Sequence, residues 1–175
     1  MKTKGFTLLE LMITLSILAL VMAVAMPSFS SLLTDQKIKS KRNELMSALQ
    51  YARTEAVTQN RSVSICASSN PWDSSPTCSK KTDWSTGWIV FYDASQNTSP
   101  SVPTTILRSY PNTEGVDVQY SPAGAASSNL IRYVATGMMD TAFNPGTFEL
   151  SDPKDIISTR SVIINPTTGQ ARIGS

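Results

Sequence analysis

Residues 4–26 read KGFTLLELMITLSILALVMAVAM, and this stretch decides the fold. From Phe6 to Met26 the only charged residue is Glu10. A helix rises about 1.5 Å per residue, so a helix of this length matches the roughly 30 Å hydrocarbon core of a bilayer. The sequence therefore predicts an N-terminal helix that crosses a membrane over about residues 6–26.

A cleavable secretory signal is the alternative for the same stretch. Such a signal has a basic start, an apolar core of about 7–15 residues and a small-residue cleavage site. Lys2 and Lys4 supply the basic start, but the apolar run is longer than that core. Residues 27–31, PSFSS, also lack an A-x-A site. A retained membrane helix is therefore favoured.

The charges that flank the helix do not settle its orientation. Lys2 and Lys4 favour a cytoplasmic N-terminus by the positive-inside rule. Four cations between residues 37 and 42 lie close enough to the other end to count against it. Cys66 and Cys78 form an even pair in a loop-like stretch, which fits an oxidising compartment. We therefore expect the region after the helix to lie outside the cytoplasm.

Glu10 is the anomaly of the apolar run. A carboxylate at the centre of a membrane helix costs about 2.5–3.5 kcal/mol on insertion scales, and less near the end where Glu10 lies. The side chain either reaches the lipid head groups without a further role or pairs with a positive charge on another chain. An ionisable residue within a membrane helix is functional by default, so the pairing is favoured.

Residues 4–11, KGFTLLEL, resemble the class III signal of type IV pilins and type II secretion pseudopilins. The resemblance implies that residues 1–5 are a leader peptide, which a prepilin peptidase removes by cutting between Gly5 and Phe6. It also implies that the new N-terminal Phe6 is methylated. Glu10 would then pair with the α-amino group of a neighbouring subunit's Phe6, and Pro27 would lie where the helix of this family unwinds on assembly.

The predicted helix continues past the apolar run to about Asn60. Pro27 lacks a backbone donor, which predicts a kink or a loosened turn. Beyond it, apolar residues recur at helical spacing and polar residues occupy the opposite face, which indicates one buried face. The apolar positions are Ile38, Leu45, Leu49, Ala52 and Ala56, and the polar positions are Ser40, Asn43, Ser47, Gln50, Thr54 and Thr58. We expect one helix over residues 6–60 whose second half packs against a domain.

Residues 61–175 have the pattern of strands. Short β-prone runs are separated by clusters of Ser, Asn, Pro and Gly. The predicted strands are residues 62–68, 87–92, 104–109, 116–120, 130–134, 147–150, 161–165 and 171–173. One long helix followed by eight short strands predicts an α+β fold, in which a head built from an antiparallel β-sheet or sandwich packs on a helical stem.

Cys66 and Cys78 would close a loop within the head. For a loop of this size the chain-entropy estimate gives roughly 3 kcal/mol of stabilisation. Two free buried cysteines are the alternative.

The composition argues against an enzyme. The 175-residue chain has no histidine, which excludes Ser-His-Asp and Cys-His arrangements. Two cysteines are too few for a zinc site of four thiolates. Neither G-x-G-x-x-G nor G-x-x-x-x-G-K-[ST] occurs in the sequence. We therefore expect no catalytic activity, no cofactor and no metal.

Three further segments narrow the resemblance to the GspH/FimT/FimU family of minor pilins and pseudopilins. They are LMSALQYARTEAVTQNRSVS at 45–64, WSTGWIVFYD at 84–93 and RSVIINPTTG at 160–169. The resemblance implies a minor type IV pilin of a Gram-negative bacterium that leaves the inner membrane to join other major and minor pilin subunits at the tip or initiation complex of a pilus. Trp84 and Trp88 are then either interface anchors or core residues, and the core is favoured.

Two alternatives share these motifs. One is a minor pseudopilin of type II secretion. The other is a DNA-binding minor pilin for natural transformation, because some FimT-type proteins bind DNA through a C-terminal G-R-x-R motif. The matching positions 169–172 read GQAR, and the head from Arg61 onward carries eight Lys and Arg against nine Asp and Glu. The candidate DNA contacts are Lys80, Lys81, Arg160 and Arg172.

Overall fold

The helix α1 runs from Leu8 to Thr58 and is followed by strands alone. The computed structural model describes residues 5–79, 81–93, 105–123, 130–140, 145–154, 158–165 and 168–174, and within these ranges it describes no side chains for residues 24–28. The helix begins and ends two residues inside the predicted limits of 6 and 60. Position 27 lies within α1, so one helical element extends to both sides of it.

Both ends of α1 are capped by groups that the local sequence supplies. At the start, the Thr7 hydroxyl accepts a hydrogen bond from the backbone N–H of Glu10 at 3.2 Å, as an N-cap threonine does. At the other end, Asn60 has a φ of 50°, a left-handed conformation that asparagine tolerates. The N–H of Arg61 then donates to the carbonyl of Ala56 at 3.1 Å, which is the bond that closes a Schellman motif. These caps explain why the helix stops where the strands begin.

Eight strands within the described ranges form two four-stranded antiparallel sheets. The strands are β1 (Val63–Ala67), β2 (Gly87–Tyr92), β3 (Thr105–Pro111), β4 (Asp117–Pro122), β5 (Leu130–Tyr133), β6 (Gly146–Ser151), β7 (Arg160–Ile164) and β8 (Ala171–Ile173). The first sheet has the order β3-β2-β1-β5 and the second β4-β6-β7-β8. The predicted α+β fold is confirmed, and the ends of each strand lie within two residues of the prediction.

The second half of α1 is part of the core of the head. The predicted apolar stripe from Ile38 to Ala56 is buried, and the predicted polar face is exposed. Trp84 joins the two sheets, because its ring lies 4.8 Å from that of Phe148 and 6.4 Å from that of Trp88. Trp84 and Trp88 are each 0% exposed, so the core interpretation is confirmed and the interface-anchor alternative is wrong.

The first sheet runs alongside the helix in a defined direction. The Tyr92 hydroxyl donates to the Glu55 carboxylate at 2.7 Å, so the end of β2 lies near the end of α1. The Lys41 ammonium lies 5.7 Å from the centre of the Trp88 ring, so the start of β2 lies farther toward the helix N-terminus. We call the end of the head that carries Gly87 the lower end, and the end near Thr58 the upper end.

A disulfide bond joins Cys66 to Cys78, with a Cα–Cα distance of 5.7 Å. The predicted pairing is therefore confirmed, and the alternative of two free cysteines is wrong. The bond fastens the loop between β1 and β2 to the end of β1, at the lower end of the head.

A buried ion pair joins three segments of the first sheet at its upper end. Arg132 on β5 donates to the Asp93 carboxylate from Nη2 at 2.5 Å and from Nε at 2.9 Å. The Ser64 hydroxyl donates to the same carboxylate oxygen at 2.7 Å. The register places Ser64 opposite Arg132, and Asp93 directly follows β2, so three chain segments meet at one carboxylate.

Candidate assembly interface

The first half of α1 extends away from the head with its apolar side chains uncovered. Residues 5–23 are all exposed, and Phe6 is 83% exposed. Among the helix residues whose side chains the structure describes, the first fully buried apolar one is Ile38, roughly 45 Å along the axis from Leu8. The large exposed apolar side chains of this half are Leu8, Leu9, Leu11, Met12, Ile13, Leu15, Ile17, Leu18, Leu20, Val21, Met22, Phe29, Leu32 and Leu33. A contiguous apolar surface of this size marks a site of contact with protein or lipid.

Within the described residues, which leave out the side chains of 24–28, no helix is both long enough and apolar enough to qualify as a membrane span.

Glu10 lies in the first turn of this exposed half. Its backbone N–H is used by the Thr7 cap, whereas its carboxylate has no ion-pair partner among the described residues. Phe6 lies just before the helix and is also exposed. The carboxylate is therefore accessible to a positive charge from outside this chain.

The predicted processing site lies at the edge of the described chain. Gly5 is exposed, and a side-chain carbon added to it would meet no atom within 4 Å. Nothing in the described chain therefore shields the Gly5–Phe6 bond. The remainder of the predicted leader, residues 1–4, lies outside the described residues.

An ion-pair cluster clamps the helix to the second sheet just below the first buried turn. Asp35 accepts from Lys39 at 2.6 Å, one helical turn away, and from the Arg160 guanidinium on β7 at 3.0 Å. The hydrogen bond from Lys39, and next the one from Arg160, lowers the pKa of the Asp35 carboxyl. The cluster fixes the point where the exposed half of α1 leaves the head.

Arg160 and Arg172 are two of the four candidate DNA contacts, and the structure places them on opposite faces of the second sheet. Alternate residues of a strand point to opposite faces. Arg160 reaches the helix through Asp35, on the side where Val162 is buried. Arg172 pairs with Ile163 and is exposed on the other side.

Lys81 is also remote from Arg172. It is exposed and lies two residues before Asp83, which bridges to Gln119 on the edge strand β4. Arg172 lies on β8, the opposite edge of the same sheet, roughly 14 Å away at the usual strand spacing. Lys80 lies outside the described residues. Among the described residues, the structure therefore places neither Arg160 nor Lys81 beside Arg172.

The described side chains also include no group of three His, Cys, Asp or Glu that would hold a metal ion.

Sequence reasoning did not find two polar partners that shape the molecule, Asp35 and Arg132. The spacing of Asp35 and Lys39 by four residues was a readable signal for a helical ion pair. The Arg160 contact to the same carboxylate, across 125 residues, had no such signal.

A helix with an uncovered apolar half, whose other half is built into an antiparallel β head, defines a pilin-like subunit. Comparison with known families agrees. Residues 42–168 match the family described as Type II transport protein GspH, and residues 1–26 match the prokaryotic N-terminal methylation motif. The first match covers more than half of the 175 residues, so the chain belongs to the GspH family. The resemblance to GspH/FimT/FimU minor pilins is confirmed.

Two of the solved structures that are similar to this chain show the same fold. The type IV minor pilin FimU of Pseudomonas aeruginosa strain PAO1 aligns over 81% of this chain and 90% of its own, with a TM-score of 0.55 and 20% identity. A second crystal form of FimU aligns with a TM-score of 0.51 and 20% identity, over 78% of this chain and 92% of its own. The minor pseudopilin EpsH from the type 2 secretion system of Vibrio cholerae aligns over 79% of this chain and 97% of its own, with a TM-score of 0.48 and 12% identity. No curated protein sequence matches the chain.

Proposed function

We propose that this protein is a minor type IV pilin that assembles into the tip or initiation complex of a pilus. It would support pilus biogenesis and the processes that depend on it: twitching motility, adhesion and DNA uptake. The observation that carries the proposal is the division of α1, because one half is buried in the head and the other half is apolar and uncovered. Such a helix needs lipid around it before assembly and other helices around it afterwards. Its work is assembly, and no catalysis is involved.

The proposed route begins in the inner membrane of a Gram-negative bacterium. Residues 6–26 cross the bilayer once, with the head in the periplasm, and the subunit later joins other major and minor pilins in the extracellular pilus. The disulfide supports this placement, because such bonds persist in oxidising compartments. A prepilin peptidase removes residues 1–5 and methylates Phe6. The match to the N-terminal methylation motif supports this step.

Glu10 is the proposed register residue of the assembly. Its carboxylate pairs with the α-amino group of Phe6 on a neighbouring subunit, inside a bundle of apolar helices. Two charges in such a low-dielectric setting are tolerated only when they are paired. The accessible carboxylate and the exposed Phe6 support this role.

A minor pseudopilin of a type II secretion system is the second candidate, and the description of the matched family favours it. The two candidates differ in their partners. Under the first, the protein is recovered with minor pilins in sheared pilus preparations. Under the second, it is recovered with pseudopilins, and its deletion blocks secretion while pili remain.

Mass spectrometry of the protein from its own membranes tests the processing step. The mature chain should begin at N-methyl-Phe6. Gly5→Leu should leave an uncleaved precursor, because a bulky residue replaces the glycine before the cleaved bond. Lys4→Arg keeps the charge of the leader and should be processed normally. A mature chain that begins after Met26 would show that the segment is an ordinary secretory signal, and it would overturn the pilin proposal.

A further inference from the structure

Trp72 differs from the other two tryptophans of the chain. Trp84 and Trp88 are completely buried, whereas Trp72 is 63% exposed. It lies in the loop that the Cys66–Cys78 disulfide closes. An exposed tryptophan combines a large apolar ring with one polar N–H, a combination that suits a surface with an apolar side and a wet side.

The loop holds Trp72 in a fixed position. The Asn70 amide oxygen accepts hydrogen bonds from the Thr77 backbone N–H at 3.0 Å and from its hydroxyl at 3.1 Å. The Asn70 amide nitrogen donates to Asp73 at 3.0 Å, and the Ser109 hydroxyl on β3 donates to the Pro71 carbonyl. The residues on both sides of Trp72 are therefore anchored, so its ring is presented without a large loss of conformational freedom on contact.

The loop lies at the lower end of the head. A side-chain carbon on Gly87 would lie 2.9 Å from Pro71 Cγ, so Pro71 packs directly on the start of β2. At the same end, Glu114 and Gly115 line a groove of about 370 Å³ together with Ser30 and Thr34 of the helix. The turn that carries Glu114 and Gly115, at the same end of the head as the loop, therefore reaches down to the level of helix residues 30–34.

This level is close to the proposed end of the membrane span. Residues 30–34 follow Met26 by four to eight positions, which is roughly 6–12 Å along a helix. The head-group layer on each side of a bilayer is roughly 5–8 Å thick. Phe29, the residue before Ser30 of the groove, is also exposed. Tryptophan and other aromatic residues are enriched in that layer, because it meets both their apolar and their polar parts.

We propose that, before assembly, the disulfide loop rests on the periplasmic surface of the inner membrane with the Trp72 ring among the lipid head groups. This inference rests on the proposed function, because it takes the membrane span to be residues 6–26. The loop would be a second membrane contact besides the helix, and it would fix the tilt of the head above the bilayer. Within the groove, Lys37 and Lys154 balance Glu114 and Asp152. We attribute the contact to the ring, and the test uses a lipid without net charge.

The experiment uses the full chain reconstituted into phosphatidylcholine vesicles, with and without lipids brominated near the head group. Bromine quenches only indole rings that touch these lipids, so the two buried tryptophans give the background. Brominated lipid should remove the Trp72 share of the emission, which is about one third if the three rings emit equally. Added salt should not change this loss, because charge does not drive the contact.

Two variants assign the signal. Trp72→Phe should abolish the loss. Adding Val57→Trp to that variant restores a third tryptophan at the upper end of the head, where Val57 is 51% exposed. This position lies roughly 46 Å along the helix from Met26, so its ring should not be quenched.

The outcomes separate this inference from the proposed function. Protein that does not float with the vesicles would overturn the membrane anchoring, and this inference with it. Protein that floats, but whose Trp72 emission is unchanged by brominated lipid, would overturn this inference alone. A third outcome would also overturn this inference. Trp72 would then be protected from quenching by acrylamide, the protection would increase with the protein-to-lipid ratio, and brominated lipid would have no effect. That result would show that the ring contacts a neighbouring subunit.

Discussion

The two halves of α1 are one continuous helix but have opposite surroundings. Over residues 8–23 and 29–33 the first half exposes large apolar side chains, whereas the half from Ile38 to Thr58 buries a single apolar stripe. Helix propensity does not separate them. The distribution of polar residues does, because a helix with one apolar face packs on a domain and a helix apolar on all sides needs lipid or other helices. The first half is thus specified for assembly and the second for folding.

The largest expected effect comes from Glu10, and it should affect assembly without affecting folding. If the carboxylate pairs with a neighbour's Phe6 amine, Glu10→Leu leaves that amine unpaired in an apolar bundle. Breaking a buried pair costs about 3–5 kcal/mol, which corresponds to roughly two orders of magnitude or more in incorporation. The variant should insert, be cleaved at Gly5 and unfold at the same urea concentration as wild type, yet be scarce in sheared filaments.

Leu11→Ala is the matched control for Glu10→Leu, because it changes the next residue and leaves the carboxylate in place. It should be incorporated almost as well as wild type. Normal recovery of the Glu10→Leu chain would show that the head sets the register. The assignment of assembly to the first half of the helix and of folding to the second would then be wrong.

The second largest effect should come from Arg132, in the head. In contrast to Glu10→Leu, a substitution there should destabilise the fold without affecting membrane insertion. Arg132→Met removes the partner of the buried Asp93 carboxylate. The unpaired charge should lower the free energy of unfolding by about 3–5 kcal/mol, as measured by urea titration of the full chain in detergent. Adding Asp93→Asn removes the charge itself, and the double variant should recover much of the loss. Equal stability of Arg132→Met and wild type would contradict the role of the pair.

Two leucines of α1 test the comparison directly. Leu45 is fully buried and Leu18 is half exposed. Leu45→Ala should lower the free energy of unfolding of the head by about 2–5 kcal/mol, because it removes core contacts and leaves a cavity. Leu18→Ala should change it by less than about 0.5 kcal/mol. Similar losses from both substitutions would show that the first half of the helix also packs within its own chain.

The smallest effect concerns the clamp between the two halves. The pKa of Asp35 is lowered by Lys39 and Arg160, so the carboxylate stabilises the fold at pH values above its usual 3.8. That contribution is lost as the pH falls through the lowered pKa of the folded protein. Asp35→Asn should therefore unfold at slightly lower urea than wild type at pH 7, and the difference should be smaller at a pH below 3.8. A gap between the two unfolding midpoints that is the same at both pH values would exclude the ion pairs as its source.

Most of the fold could be predicted because its signals are local. The stripe from Ile38 to Ala56 repeats at helical spacing, and the strands are short β-prone runs between turn residues. The disulfide also had a readable basis, because only two cysteines occur and they lie close together in the chain. The apolar first half and its single charge, Glu10, were also recognisable, because both can be read directly from consecutive residues. The sequence could therefore indicate which part of the chain is available for assembly.

The polar contacts could not be predicted because they depend on the pairing of distant segments. Nothing near Arg132 indicates that Asp93, 39 residues away, ends beside it. The relative placement of the candidate DNA contacts was unpredictable for the same reason. Arg160 and Arg172 are close in sequence, but strand alternation and the Asp35 contact place them on different faces. Distances along the chain gave no information about which side of the sheet each arginine occupies.

The buried stripe of α1 has a mechanical consequence. A load pulling on the exposed half of the helix enters the head along the helix axis, parallel to the surface on which the stripe packs. The stripe spans 19 residues from Ile38 to Ala56, roughly 27 Å, and its side chains pack against strands of both sheets along that length. Tension therefore shears the whole row at once and does not peel it one contact at a time. The head is therefore held to the helix by contacts along the whole overlap, and no single contact at one end carries the load.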